Sequence, residues 1–334
     1  MSDESRRDFL KQCLAGAAVL GASGAVKGLA VAEAPASIAK SRVVVARDAS
    51  LRNADGDVDA QRMLALLDRA MQTLFDAGTP LDPWKHLVHP GETVGVKINV
   101  LGGRGISSNR QLVDAICERL QGAGIKAGDI VVWDHYSDEL ARVGYPNVRG
   151  GNRVQCYGTD AEGVGYEEEL SAFGSIGSRL SRLLTQRDVM INVPVLKDHS
   201  ISGVTGAMKN MYGVIHNPNK CHPNGCNPYI ADLNMLPEIR RKRRISIMDA
   251  TTGQYEGGPG FKPDFVWEYN GILVSQDPVA LDHTAWQIIE HQRAEKGLKT
   301  LTAAGRPPRY IATAADEQHR LGVNDPARID LRRV

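Results

Sequence analysis

The chain has neither a haem-attachment motif nor a ferredoxin-type run of cysteines, so it lacks the usual protein ligands of a c-type haem and a ferredoxin-like cluster. It also has no Walker lysine, no complete Gly-x-Gly-x-x-Gly and no serine in a nucleophile-elbow context, which argues against a P-loop, a dinucleotide site and a serine hydrolase. Aromatic residues make up only 5% of the 334 residues, and no internal repeat or low-complexity block is visible. Net charge is lacking as well. Residues 1–32 hold four of the 40 basic and three of the 39 acidic residues, so the remainder carries 36 of each sign. Such a balance gives no long-range pull on nucleic acid or anionic lipid. One basic run, Arg240 to Arg244, reads as a solvated helix end.

What is present at the amino terminus is an address. Ser5-Arg6-Arg7-Asp8-Phe9-Leu10-Lys11 has the form of a twin-arginine signal, with a weakly apolar run from Cys13 to Val31 behind it. Lys27 interrupts that run, and a spanning helix needs about 20 apolar residues with few charges, so no stable membrane span is expected after cleavage. Ala30-Val31-Ala32 and Ala34-Pro35-Ala36 offer cleavage after Ala32 or Ala36. The expectation is a periplasmic protein exported folded by the twin-arginine machinery, with residues 1–32 as signal and 41–330 as the folded part.

The folded part reads as alternating strands and helices. Strands are expected at 42–47, 93–100, 130–133, 188–195, 245–248 and 271–274. Helices are expected at 57–74, from Ser107 or Ser108 to about Leu120, and at 178–184, 278–293 and 311–321. This pattern implies an α/β fold with a mostly parallel sheet and helices on both faces, as one large domain or two closely packed lobes. Ligands in such sheets sit beyond the carboxyl ends of the strands. Lys97, Asp134, Lys197, Asp249 and Asp277 fall at or near such ends. Asp277 precedes Pro278 at a helix start, where capping explains it. The turn Gly102-Gly103-Arg104-Gly105 reads as a tight turn rather than a nucleotide motif.

Residues 188–222 concentrate the chemistry. A buried strand stops at Pro194, and Lys197-Asp198-His199 follows. Ser200 or Ser202 is expected to cap a short helix carrying Thr205, Lys209 and Asn210, with Thr205 and Lys209 on one face. Helix amides, a hydroxyl and two lysines at one strand end suit a phosphate or carboxylate. His199, His216, Cys221, His222 and Cys226 are the one dense group of soft ligands. Imidazole and thiolate bind transition metals at about 2.0–2.3 Å, yet the spacing matches no standard zinc module. Cys221 and Cys226 stand equally for a small disulfide-closed loop.

The strand with Lys97 and Asn99, the turn Pro194 to His199, the helix Thr205 to Gly213, Met248-Asp249-Ala250, Glu256 to Pro259 and Ser275 to Asp282 resemble the family called domain of unknown function 362, over roughly residues 42–330. The resemblance implies that Lys97, Asn99, Lys197, His199, Lys209, Asn210, His222, Asp249, Glu256, Asp277 and Asp282 are its characteristic polar positions. Some members carry iron–sulfur clusters on an added cysteine-rich module, which this chain lacks, so a ferredoxin-type cluster is not expected.

Together these readings give an expected site. His199 with Asp249 or Glu256 would move protons. Lys97, Asn99, Lys197, Thr205, Lys209, Asn210 and Asp282 would hold a small anion, and His199, His222, Cys221 and Cys226 would hold a transition metal. An enzyme acting on a small anionic substrate, a non-catalytic metal or cofactor carrier, and an assembly partner of a periplasmic complex all fit this set.

Overall fold

The computed structural model describes residues 40–334; the expected signal and both cleavage positions lie outside them. The strands are β1 Ser41–Arg47, β2 Val94–Lys97, β3 Ile130–Trp133, β4 Gln155–Cys156, β5 Ser171–Phe173, β6 Ile176–Ser178, β7 Val189–Asn192, β8 Val195–His199, β9 Gly203–Val204, β10 Arg243–Gln254, β11 Val266–Trp267, β12 Gly271–Ser275 and β13 Ile329–Arg333. The α-helices are α1 Ala60–Phe75, α2 Asp82–Leu87, α3 Arg110–Gly122, α4 Ser137–Arg142, α5 Arg182–Thr185, α6 Gly206–Lys209, α7 Tyr229–Met235, α8 Pro237–Lys242, α9 Pro278–Glu295 and α10 Arg309–Ala314.

Side chains alternate between the two faces of a strand, and here both faces are apolar. In β1, Val44 and Ala46 enter one core while Val43 and Val45 enter the other. Ile130 and Val132 of β3 likewise oppose Val131 and Trp133. Helices α1 to α4 cover the first face, and α5 to α10 the second. Each fully buried Leu, Ile or Val contributes roughly 1.5–3 kcal/mol, so a sheet buried on both sides is the stable solution for these runs. The strand order is β13-β1-β12-β10-β7-β2-β3-β4, with β12 antiparallel to both neighbours and every other pairing along this path parallel. The sheet is therefore mostly parallel, with helices on both faces.

The departures from expectation have local causes. The run 188–195 is two strands. Pro194, which lacks an N–H, separates β7 from β8, and β8 continues against β10 alone among the long strands. The run 93–100 stays in the ladder only to Lys97. Asn99 N then donates to Ser108 Oγ and Val100 N to Asp134 Oδ2. The stretch 178–184 shortens to α5, which Ser181 caps through Leu183 N. The expected helix 311–321 ends at Ala314, because Asp316 accepts from the backbone of Gln318 and His319 and closes a competing turn. Asp249 lies in the middle of a strand, since β10 runs to Gln254. The basic run ties down backbone instead of facing solvent throughout: Lys242 Nζ donates to the carbonyls of Leu184, Thr185 and Arg187, and Arg244 to that of Leu87.

Asp277 caps α9 through Val279 N and Ala280 N at 2.8 and 3.0 Å, and also accepts from Val323 N at 2.8 Å and from Ser41 Oγ. Its carboxylate thus joins the start of α9 to β1 and to the chain that leads into β13. Asp277→Ala removes the cap and strands a buried N–H, so it is expected to cost about 2–3 kcal/mol. The check is the denaturant midpoint at constant m; a loss below about 0.5 kcal/mol would mean that the tie is dispensable.

Candidate functional site

A cavity of about 450 Å³ opens where β2, β3 and β8 end. Three lysines line it, each buried, and they differ in their partners. Lys97 Nζ forms an ion pair with Asp134 at 2.7 Å and donates to the carbonyl of Ile98. Lys197 Nζ donates to Asn99 Oδ1 at 2.9 Å and forms no ion pair. Lys209 Nζ contacts His222 Nε2 at 3.3 Å and sits 3.9 Å from the centre of the Tyr212 ring, again without a carboxylate partner. Burial pulls Lys197 down to about 8, against the opposing effect of Asp134 and Asp198. Burial also brings Lys209 to about 8. Both ammonium groups are destabilised because desolvation is not repaid by a nearby negative charge.

An amide relay fixes this arrangement. Asn210 Oδ1 accepts from Asn99 Nδ2 and Lys97 Nζ, and Asn210 Nδ2 donates to Asn192 Oδ1 at 2.7 Å. Asn192 in turn donates to Ser246 Oγ and the carbonyl of Ala207. Two close approaches need glycine. A Cβ on Gly213 would lie 2.8 Å from Lys97 Nζ and 2.9 Å from Asp134 Oδ1, and one on Gly102 would lie 2.8 Å from Lys197 Nζ.

The imidazoles are set by backbone contacts. His199 Nδ1 accepts from the N–H groups of Ile201 and Ser202 at 3.1 and 3.3 Å. Its proton therefore resides on Nε2 in the neutral ring. Burial, reinforced by Lys209, His222 and Lys197, pushes this histidine down to about 2. His222 Nδ1 donates to the carbonyl of Asn219, which leaves Nε2 bare toward Lys209. Burial and Lys209 lower His222 too. The two rings are stacked with centres 5.9 Å apart.

Of the residues expected from sequence, Lys97, Asn99, Lys197, His199, Thr205, Lys209, Asn210 and His222 converge on this cavity. Three carboxylates do not. Asp249 accepts from the backbone of Asn109 and Thr251, pinning the start of α3 to β10. Glu256 is held by Arg293 and Arg306, and Arg306 also pairs with Asp198 at 2.6 Å. The expected proton transfer between His199 and Asp249 or Glu256 therefore has no geometric basis. Asp282 accepts from the N–H groups of Ala207 and Met208 and from Tyr310 Oη. It fixes α6, whose last residue is Lys209, and burial raises it to about 7. Asp282 also takes the capping role expected of Ser200 or Ser202; Thr205 precedes α6 with its hydroxyl on the carbonyl of Asp198.

Cys221 and Cys226 are buried, free thiols, so the expected disulfide is not formed. Neither lines the cavity. Among the described residues no group of three or more His, Cys, Asp or Glu side chains is arranged to hold a metal. His222 Nε2 faces an ammonium, and His199 Nδ1 is taken by backbone donors, so the expected ligand set of His199, His222, Cys221 and Cys226 does not fit a transition metal.

Sequence reasoning missed part of the wall. His135, held by Tyr166 Oη at 2.9 Å and by the Gly213 backbone, lines the cavity with Tyr136 and Glu139. The available signal was Asp134 at the end of β3, since residues just beyond a strand end share its crevice.

Fold and cavity thus define an α/β protein with a lysine- and histidine-lined hollow at the strand ends. The family described as Domain of unknown function (DUF362) matches residues 94–287, more than half of the chain, and this chain belongs to it. No curated protein matches its sequence. Among solved structures, the lactate racemase apoprotein from Thermoanaerobacterium thermosaccharolyticum is similar, with a TM-score of 0.43 and 11% identity over 74% of this chain. The chain spans 57% of that protein's length.

The lysines set a pH dependence. With folded values near 8 against the usual 10.5, the unfolded chain holds more protons between those limits. Stability from these groups is present above 10.5 and is lost as pH falls through about 8. Across that window the parent should therefore gain stability relative to a Lys197→Met, Lys209→Met double variant. Denaturant midpoints at several pH values measure this, and parallel curves would contradict the unpaired-ammonium picture.

Proposed function

We propose that this protein binds a small anionic molecule in the cavity and acts on it as an enzyme by acid–base chemistry. One observation carries the reading: Lys197 and Lys209 are buried in one cavity with no carboxylate in ion-pairing range, while Asp134 is committed to Lys97. An anionic ligand would supply the missing counter-charge and accept charge-assisted hydrogen bonds from both ammonium groups. His199 Nε2–H is a neutral donor suited to polarising a carbonyl or carboxylate oxygen. Lys209 and His222 form the donor–acceptor pair through which a proton would move, and a group near 8 is poised for that at neutral pH. Asn99, Asn210 and Asp282 act as positioning residues.

Inorganic phosphate and a small dicarboxylate, tested by calorimetry at pH 7, are the probes. At least one should bind the parent. Lys197→Ala and Lys209→Ala should each weaken that binding by roughly tenfold or more, the scale of a charge-assisted hydrogen bond. Affinity should also fall as pH rises above about 8. Affinity indifferent to both substitutions would remove the proposal.

We also propose that the protein acts in the periplasm after export by the twin-arginine route. Supporting this are the order of charged, apolar and small-residue zones around Arg6-Arg7 and the balanced charge of the remainder. Among the described residues no helix is long and apolar enough to cross a membrane. Changing Arg6-Arg7 to Lys-Lys should leave the protein in the cytoplasmic fraction. Undiminished export of that variant would refute the signal reading.

A further inference from the structure

We propose that Lys209 is a nucleophile that forms an imine with the carbonyl carbon of a 2-oxo carboxylate bearing an apolar substituent, a reading that rests on the anion-binding cavity. The two unpaired lysines are not equivalent. Lys197 Nζ points its protons at oxygens, Asn99 Oδ1 and the carbonyl of Ile106, which accept but do not deprotonate it. These oxygens fix its direction, so it serves as a hydrogen-bond donor to a carboxylate and not as the attacking amine. Lys209 Nζ instead faces the bare Nε2 of His222, whose Nδ1–H is fixed on the Asn219 carbonyl, and the face of Tyr212. The Cys226 thiol is also within hydrogen-bonding reach. A base in contact with its Nζ is what a lysine amine needs to attack a carbonyl. Burial, which brings Lys209 to about 8, favours the free amine further.

The step balances without an oxidant or reductant. His222 Nε2 takes one proton from the Lys209 ammonium, and the freed lone pair forms the C–N bond while the carbonyl π pair moves to oxygen. A proton passes from nitrogen to that oxygen, giving the carbinolamine. His222 then returns its proton to the hydroxyl, the C–O bond breaks, and water leaves as C=N forms. Ketone and ammonium have become iminium and water. His199 Nε2–H is available to hold the substrate oxygen in the same cavity.

The apolar substituent follows from the rim. Leu101, Tyr136 and Ile201 line the cavity yet are 61%, 48% and 41% exposed, so they flank its opening. A group projecting outward from the bound carboxylate would lie against them, and its burial would add affinity.

The test is reductive trapping. The full-length protein is incubated with pyruvate or phenylpyruvate, reduced with sodium borohydride, and mapped by peptide mass spectrometry. The reduced adduct should be roughly tenfold or more enriched at Lys209 over exposed Lys296 and Lys299, because the free amine and not the ammonium attacks. Phenylpyruvate should label at lower concentration than pyruvate. Lys209→Arg should abolish the adduct, since a guanidinium does not supply a nucleophilic amine. Labelling no greater at Lys209 than at exposed lysines, or an adduct that persists in Lys209→Arg, overturns the inference. If phosphate binds but no adduct forms, the imine alone fails. If neither phosphate nor oxo acid binds, the anion reading beneath it fails too.

Discussion

Three lysine side chains end in one buried space, and Asp134 neutralises one of them. Desolvation of an ammonium is costly unless an opposite charge repays it, so the excess positive charge at Lys197 and Lys209 must be held in place by the rest of the fold. That constraint accounts for the amides around the cavity. Asn99, Asn210 and Asn192 supply oriented dipoles where carboxylates would supply charge, and each amide is bonded to another. Neutral acceptors fix the lysine positions but leave the charge uncompensated. This arrangement is what the proposed anion binding calls for, because a resident carboxylate would compete with an incoming one.

The carboxylates that sequence reading assigned to chemistry serve that positioning at one remove. Asp282 closes the start of α6 and so places Lys209. Glu256 holds Arg306, Arg306 holds Asp198, and Asp198 precedes His199 on β8. Asp249 secures the loop at Asn109, beside Ser108, whose hydroxyl bridges Asn99 N and the Val193 carbonyl. Asp249 and Asp282 are buried and Glu256 is part-buried, and all three are bonded to backbone or guanidinium groups. Removing one would leave buried donors unsatisfied, a cost of about 1–3 kcal/mol per group, so loss of activity on such a change would not by itself mark a catalytic role.

The contrast shows what was legible in the chain. Apolar runs located the central strands, and their alternation with helical periodicity gave the mostly parallel sheet. The convergence of Lys97 and Lys197 followed from their places near strand ends, and that of His199 and Lys209 from the segment that follows Lys197. Pro194 carried the break between β7 and β8 openly, since it cannot donate to a ladder. The partners of the carboxylates were not legible. Glu256 meets Arg293 and Arg306 across 37 and 50 residues, and Asp282 meets Ala207 across 75. No local pattern encodes such contacts. His135 and Tyr136 escaped because they begin one residue beyond the strand end that drew attention to Asp134.

The electrostatics of the cavity also decide the state of its histidines. Burial, reinforced by the neighbouring ammonium groups, lowers both His199 and His222 and so favours their neutral forms. Neutrality alone leaves the tautomer open, and the backbone resolves it differently for each ring. Donors from Ile201 and Ser202 place the His199 proton on Nε2, whereas the Asn219 carbonyl places the His222 proton on Nδ1. One stacked pair of rings thus presents a donor and an acceptor. The acceptor faces Lys209, the lysine without an oxygen partner. Burial and excess positive charge together, by favouring the neutral rings, therefore leave a histidine nitrogen open to a proton beside a lysine.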